Sequence, residues 1–447
     1  MLRMTTTPLL TRRIDTGPGA SRRIAVAALA GTTIEFYDFL VYGTAAALVF
    51  GTVFFPALGA VAGTAAALAT VGVAPLVRPV GAVVFGHLGD RLGRKRTLIY
   101  TLLLMGLASV AVGLLPGTAA IGGAAPAVLV ALRVLQGIAV GGEWGGAALL
   151  AVENARPGRR GSFGMYPQLG HGIAFALTST TFLAAGLTMS REAFLAWGWR
   201  IPFLLSVVLV GIGLYVRLRI EETPVFRTAL ARHGRSRVPL GEAFRRHAGQ
   251  ILLAGGALSP AFALGYFGTV YLTSYSTAVL GNALPAVLVL GVLGGGVLAA
   301  STALSARMSD RFGRRRIILA GNVASIVVGF VVFPIIDTRS TAMFGLGLCL
   351  VLAVGGIGLG PAAAFLPELF ATRYRYTGAG VAFNFAAILG GVVPAVLAAT
   401  LQARFGSPAV GLLLAGLGLL GTCCVLAMPE TRDRSWDATT PAARSTG

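Results

Sequence analysis

The chain has 447 residues, 55% of them hydrophobic and only 12% charged, with a mean hydropathy of +0.80. A water-soluble globule carries about 25% charged residues, so this composition excludes a soluble enzyme or binding domain and indicates an all-α polytopic membrane protein. The formal net charge of +20 does not indicate a nucleic-acid partner, because the basic residues sit in short segments between apolar runs, where membrane topology accounts for them.

Residues 1–23 are polar and basic (Arg3, Arg12, Arg13, Arg22, Arg23) and read as a cytoplasmic tail. Helix 1 is expected from Ile24 to Phe50 and carries Glu35, Asp38 and Tyr42 on one face, at i, i+3 and i+7. Helix 2, from Gly63 to Gly86, contains Arg78, and a basic loop runs from Gly86 to Arg96. The stretch from Thr97 to Leu132 has no ionised side chain and is broken by Pro116-Gly117 and Gly122-Gly123. At about 20 residues per crossing it supplies helix 3 and the start of helix 4. Helix 4 carries Arg133 and Glu143, helix 5 holds Gln168 and His171, and helix 6 follows Trp197-Gly198-Trp199-Arg200.

Residues 24–220 thus form one six-helix bundle, and 221–247 a central cytoplasmic loop. Residues 248–429 form a second bundle, with Gly281-Asn282 between helices 7 and 8, and 430–447 a cytoplasmic tail. Helix 7 presents Tyr266, Phe267, Tyr271 and Tyr275 on a partial face, and helix 11 carries Asn384. Cys349, Cys423 and Cys424 lie in apolar runs without metal spacing and read as buried small hydrophobes. With the amino terminus inside, thirty of the 36 Lys and Arg residues fall on cytoplasmic segments, and the outer loops hold only Arg191, Arg339 and Arg404. Both termini are therefore expected in the cytoplasm of a cell (inner) membrane protein.

An internal repeat joins the two bundles. Gly86-His87-Leu88-Gly89-Asp90-Arg91-Leu92-Gly93-Arg94 reappears as Ala306-Arg307-Met308-Ser309-Asp310-Arg311-Phe312-Gly313-Arg314, its aspartates 220 residues apart. A second echo pairs Glu153…Arg160-Gly161 with Glu368…Arg375-Tyr376-Thr377-Gly378. Repeats of this kind place a transport site between two halves near the membrane midplane. Each loop has a mechanical reading as well: the aspartate can cap a helix amino terminus while the arginines stay in the cytosol.

The doubled loop resembles the family motif of the major facilitator superfamily, and Arg133-Val134-Leu135-Gln136-Gly137 is similar to that superfamily's helix-4 motif. Finer features resemble its metabolite:proton symporter family. These are Gly31 to Gly43, Arg78-Pro79-Val80-Gly81, Gly141-Gly142-Glu143-Trp144-Gly145-Gly146, Trp197 to Phe203, Glu222-Thr223-Pro224 and Pro367-Glu368-Leu369-Phe370. Ala306 departs from the usual first glycine, and Met165-Tyr166-Pro167-Gln168 from the expected Gly-Ser-Trp/Phe-Pro-Gln. The resemblance implies twelve transmembrane helices and proton-driven uptake of a small polar metabolite, an organic acid or zwitterionic osmolyte. It implies neither ATP nor metal, with the proton as coupling ion.

A charged side chain at the bilayer centre costs about 2.5–3.5 kcal/mol. At ~1.5 Å per helical residue, Asp38, Arg78, Arg133 and His171 all fall near the middle of a ~30 Å core. Asp38, Glu35 and His171 are the candidates for proton coupling; Arg78, Arg133, Tyr42, Gln168, Tyr266, Tyr271 and Asn384 are those for substrate. Gly86, Gly89, Asp90, Arg91, Gly93, Arg94, Asp310, Arg311, Gly313, Arg314, Glu143, Glu153 and Glu368 are expected to gate. The same charges could instead stay paired and only hold helices together. Proton-driven efflux or uniport by the same fold is the alternative; a channel needs no doubled gate loop, and a membrane enzyme needs a catalytic or metal cluster the sequence lacks. A monomer is the default expectation.

Overall fold

In a computed structural model, the described residues are 18–92, 94–141, 143–156, 158–219, 240–370 and 375–434; side chains are described there except at 18–24, 86–87, 89–92, 94–95, 217, 219, 240–246 and 395. Twelve long helices carry the fold, and the described residues contain no strand. The first half comprises α1 (Pro18–Ala45), α2 (Gly59–Val71, continuing as Val73–Leu92), α3 (Arg94–Leu114), α4 (Ala124–Val140, continuing as Glu143–Glu153), α5 (Arg160–Thr188) and α6 (Ile201–Arg219). The second comprises α7 (Leu240–Tyr266, continuing to Ala278), α8 (Leu284–Phe312), α9 (Arg314–Ile336), α10 (Thr341–Leu359, continuing as Ala362–Leu369), α11 (Arg375–Ala387, continuing to Phe405) and α12 (Ser407–Leu426). The chain is helical already from Pro18, and α7 begins at Leu240 with a kink at His247 (φ −127°, ψ 17°), inside the stretches read from sequence as tail and loop.

Among the described residues, eleven helices are long and apolar enough to cross a membrane; α5 is the twelfth. Its 29 residues span about 43 Å, but Gln168, His171, Ser179 and four threonines dilute its hydropathy. That polarity is affordable because Gln168, Thr178 and Ser179 are buried among other helices, away from lipid. The cysteines correct the sequence reading: Cys423 is exposed, and Cys349 and Cys424 are half-buried, Cys424 packing beside Gly256 of α7.

Close packing of the two halves rests on small residues. A Cβ on Gly172 of α5 would lie 2.6 Å from the Gly295 carbonyl oxygen of α8, and a Cβ on Gly295 would lie 2.6 Å from that of Gly172. Only glycine at both positions lets these backbones touch, the usual device where lipid supplies no hydrophobic drive between helices. Within the first half, Gly137 and Gly141 of α4 meet the α2 backbone at Ala74 and Arg78 in the same way. This contact brings the two helices that bear Arg78 and Arg133 together.

Three helices contain a five-residue π turn: Ala46–Phe50 after α1, Phe267–Tyr271 in α7 and Ile388–Val392 in α11. The first two start 221 residues apart, in step with the loop repeat.

Candidate functional site

Glu35, Asp38, Arg78 and Arg133 are all buried, with relative exposures of 2–7%. They converge on one small void of about 10 Å³, where Phe39, Ala74 and Gln136 complete the wall. An Nη of Arg78 lies 3.9 Å from Glu35 Oε1. Among the described residues Asp38 has no guanidinium within 4.0 Å; the Ser206 hydroxyl of α6 donates to its Oδ1 at 2.5 Å, and its Oδ2 has no hydrogen-bond donor there. The Ser109 hydroxyl is a further neighbour of that carboxylate, though outside strict hydrogen-bond geometry.

Arg133 is held by neutral groups. Its guanidinium lies over the Tyr42 ring at 4.1 Å and near the Phe39 ring at 5.1 Å, donates to Gln136 Oε1 at 3.0 Å and reaches the Val71 carbonyl at 3.4 Å. Tyr42 is therefore the platform under Arg133, its own hydroxyl donating to Thr70 at 2.9 Å. Gln136 passes the chain on to Ser109 at 2.8 Å. Aromatic faces and amide oxygens stabilise a cation in place without neutralising it.

Beside this cluster lies a central cavity of about 50 Å³ between the halves, with room for a few waters. Arg78 lines both spaces and connects them. Gln168, His171 and Tyr266 also face the cavity, as do the rings of Phe36, Phe39, Phe262 and Phe383. His171 stacks on Phe36, centroids 4.6 Å apart. Gln168 has its amide engaged on both sides, accepting from Trp144 Nε1 and donating to the Leu359 carbonyl of α10, each at 3.0 Å. Trp144 stacks on Phe383 with ring centroids 3.5 Å apart.

Two other candidates lie away from the cavity. Tyr271 packs between Phe267 (4.3 Å) and Tyr275 (5.9 Å), at the end of the π turn that follows Tyr266. Asn384 donates to the Gly141 carbonyl at 3.4 Å, tying α11 to α4.

At the end of the bundle that bears the repeated loops, Asp310 caps α5 across the boundary between halves. Its Oδ1 accepts from the Gly161 N–H at 2.8 Å, and its Oδ2 from the N–H and hydroxyl of Ser162 at 2.8 and 2.6 Å. A carboxylate at a helix amino terminus satisfies orphan donors and meets the positive end of the dipole. Arg314 pairs with Asp310 at 2.8 Å and with Glu368 at 3.4 Å, and Arg160 approaches Glu368 at 3.7 Å. Thr431 donates to Glu368 at 2.8 Å. Gly313 takes φ +99° and abuts Glu430, whose carboxylate accepts from the N–H groups of Arg314 and Arg315. Arg311 is exposed over Phe312, outside this network. Glu143 is buried at the start of the second α4 segment, and Glu153 ends that segment exposed. The backbone at Gly86, Gly89, Asp90, Arg91 and Arg94 is helical, but the side chains of this loop, and Gly93 altogether, lie outside the described residues.

Toward the opposite end, α1 and α7 close in: a Cβ on Gly43 would lie 2.8 Å from the Val270 side chain. The first segment of α2 and the last of α11 also pack together there. Helices of the two halves thus meet on both sides of the cavity.

Residues 24–250 and 257–442 match the profile of the family described as sugar (and other) transporter. The inner membrane metabolite transport protein YhjE of Escherichia coli (strain K12) is 42% identical over 92% of this chain and 95% of its own length. The chain belongs to the sugar (and other) transporter family. The transporter is also 38% identical to the shikimate transporter of Escherichia coli (strain K12), over 89% of this chain and 92% of that one. Its fold is that of a solved D-xylose-proton symporter (TM-score 0.73, 18% identity, 92% of this chain and 98% of that chain covered). It is therefore a polytopic major facilitator transporter of twelve helices in two six-helix halves, as the repeated motif led one to expect, and not an enzyme.

Sequence reasoning did not single out Ser206, Phe262 or Phe383, and met Trp144 only inside the Gly141 to Gly146 motif. Ser206 carries the faintest signal, one hydroxyl in the otherwise apolar run of α6; the phenylalanines carry none, since helix rotation alone turns them inward.

Proposed function

We propose that the transporter takes up a small organic acid or zwitterion together with a proton, by alternating access, in a cell (inner) membrane with both termini and the repeated loops in the cytoplasm. The observation that carries this reading is the charge cluster around Asp38. With all four groups ionised, Glu35 and Asp38 balance Arg78 and Arg133. In a buried, poorly solvated void an unbalanced charge is costly. Protonating Asp38 leaves one net positive charge, which the carboxylate of an entering substrate cancels. Substrate and proton thus bind favourably together and poorly apart, which is the requirement for coupling. Arg78, facing both spaces, is the natural link between substrate and Asp38, since a guanidinium can hold a carboxylate through two parallel hydrogen bonds. The cross-half cap by Asp310 and its pairing with Arg314 form the cytoplasmic gate, closed in this conformation.

The test is Asp38→Asn in proteoliposomes loaded with substrate. Accumulation driven by an imposed pH gradient should disappear, while substrate exchange across the membrane persists, because the neutral amide mimics the protonated acid. Wild-type accumulation by the variant, with normal proton flux, would remove Asp38 from coupling. Uptake insensitive to a protonophore in the wild type would favour uniport instead.

A further inference from the structure

The cavity holds polar capacity that no protein group uses, and its arrangement restricts the substrate more tightly than the charge cluster does. Tyr266 is 5% exposed, faces the cavity, and its hydroxyl has no hydrogen-bond partner. His171 enters the same wall: a Cβ on Gly265, next to Tyr266, would lie 3.1 Å from His171 Cε1. Its imidazole stacks on Phe36 and makes no hydrogen bond to any described residue. The Nε of Arg78, from the other side, is likewise without a partner. A buried donor left unpaired is costly, so these groups are arranged for something that arrives.

Apart from Gln168, whose amide is already engaged on both sides, the rest of the wall is apolar. Phe36 is backed by His171, and Phe383 by Trp144, so both rings are fixed faces. Arg78 is the one cation on the lining, and no carboxylate lines it. A second carboxylate would have no counter-charge, a quaternary ammonium resting on the aromatic faces would leave the Tyr266 hydroxyl unpaired, and a sugar would bring more hydroxyls than the lining can pair. Sites built to hydrogen-bond a given substituent reject analogues that lack it, or that bring groups the site cannot pair.

We propose that the central cavity, once the halves part and widen it beyond the 50 Å³ of this closed conformation, selects a compact monocarboxylate with an apolar, ring-sized body and one hydroxyl remote from the carboxylate. The carboxylate meets Arg78, the body lies against Phe36 and Phe383, and the hydroxyl bonds Tyr266 beside His171. This rests on the symport reading for its anionic end, but it concerns recognition, and equilibrium binding can test it with no gradient present.

The experiment measures binding calorimetrically to the purified full chain in detergent at fixed pH. Cyclohexanecarboxylate and its 4-hydroxy derivative are compared with xylose, glycine betaine and succinate. The hydroxy acid should bind about tenfold more tightly than its parent and at least as far ahead of the other three. Tyr266→Phe should erase the tenfold gain, so that the hydroxy acid and its parent bind alike in the variant. Xylose, betaine or succinate matching the hydroxy acid overturns the proposal, as does failure of both acids to bind. So does a tenfold gain that survives in Tyr266→Phe. Binding as expected, with vesicle accumulation indifferent to a pH gradient, would sink the symport reading and leave this one standing.

Discussion

Arg133 and Arg78 are both buried guanidiniums on adjoining helices, yet their surroundings differ in kind. Arg78 has an acid 3.9 Å away, whereas Arg133 rests on Tyr42 and Phe39 and leans on Gln136. A planar cation that stacks and donates in a fork is not replaced by an ammonium. Arg133→Lys should therefore fold, keep the charge, and still lose about tenfold or more in uptake, with thermal melting showing only a modest fall. Equal uptake would mean that charge alone matters at this position. Gly313 offers a residue-scale prediction of another sort. Its φ of +99° suits only glycine, and a Cβ there would strike the Glu430 carboxylate that caps α9. Gly313→Ala should cost about 1–2 kcal/mol, read as a lowered melting temperature of the detergent-solubilised protein.

At the scale of elements, α5 stands out because its first turn belongs to one half and its cap to the other. Removing Asp310 orphans the Gly161 and Ser162 N–H groups and frees Arg314 from its 2.8 Å partner. A lost cap is worth about 1–2 kcal/mol, close to tenfold in an opening equilibrium. Asp310→Ala should accordingly speed hydrogen exchange at the start of α5 by about tenfold. The amides at the start of α9, capped by Glu430 instead, should stay near wild-type rates; parallel acceleration of both would show general loosening. That the loop aspartate caps a helix was legible beforehand, like the order of helices; that the helix is α5 of the other half was not. An aspartate and arginines at fixed spacing in an apolar chain are conspicuous, and their recurrence 220 residues later is hard to miss. Side-chain direction was not legible in the same way. Tyr266 and Tyr271 look alike in sequence, but Tyr266 faces the cavity and Tyr271, across the π turn of α7, joins the aromatic packing. Asn384 reads as a cavity donor until α4 is seen to bring the Gly141 carbonyl against it. Cys423 and Cys424 are neighbours in sequence, yet only Cys424 packs against α7 while Cys423 is exposed. Burial in a membrane bundle is thus only half determined by hydropathy, because lipid and core are equally apolar.

For the whole molecule, alternating exposure needs a line along which the halves stay in contact while both ends open in turn. The interface of α5 with α8 fits that need: Gly172 and Gly295 touch backbone to backbone, Gly291 meets Ser179 further along, and Gly161 abuts Ala306 at the gate. The paired Cβ-to-carbonyl distances of 2.6 Å are too short for any side chain, so a methyl group at either glycine must push the two helices apart. Such overpacking costs about 1–3 kcal/mol. Gly172→Ala and Gly295→Ala should each lower the melting temperature and slow transport, since both the resting packing and the surface on which the halves move are altered. The two positions relieve the same contact, and residues in contact do not act independently. Once α5 and α8 have parted for the first methyl, the second meets less resistance. The double variant should consequently lose clearly less stability than the sum of the singles. Strict additivity would mean that the helices yield separately at the two glycines, and the close approach would then be incidental to how the halves are held.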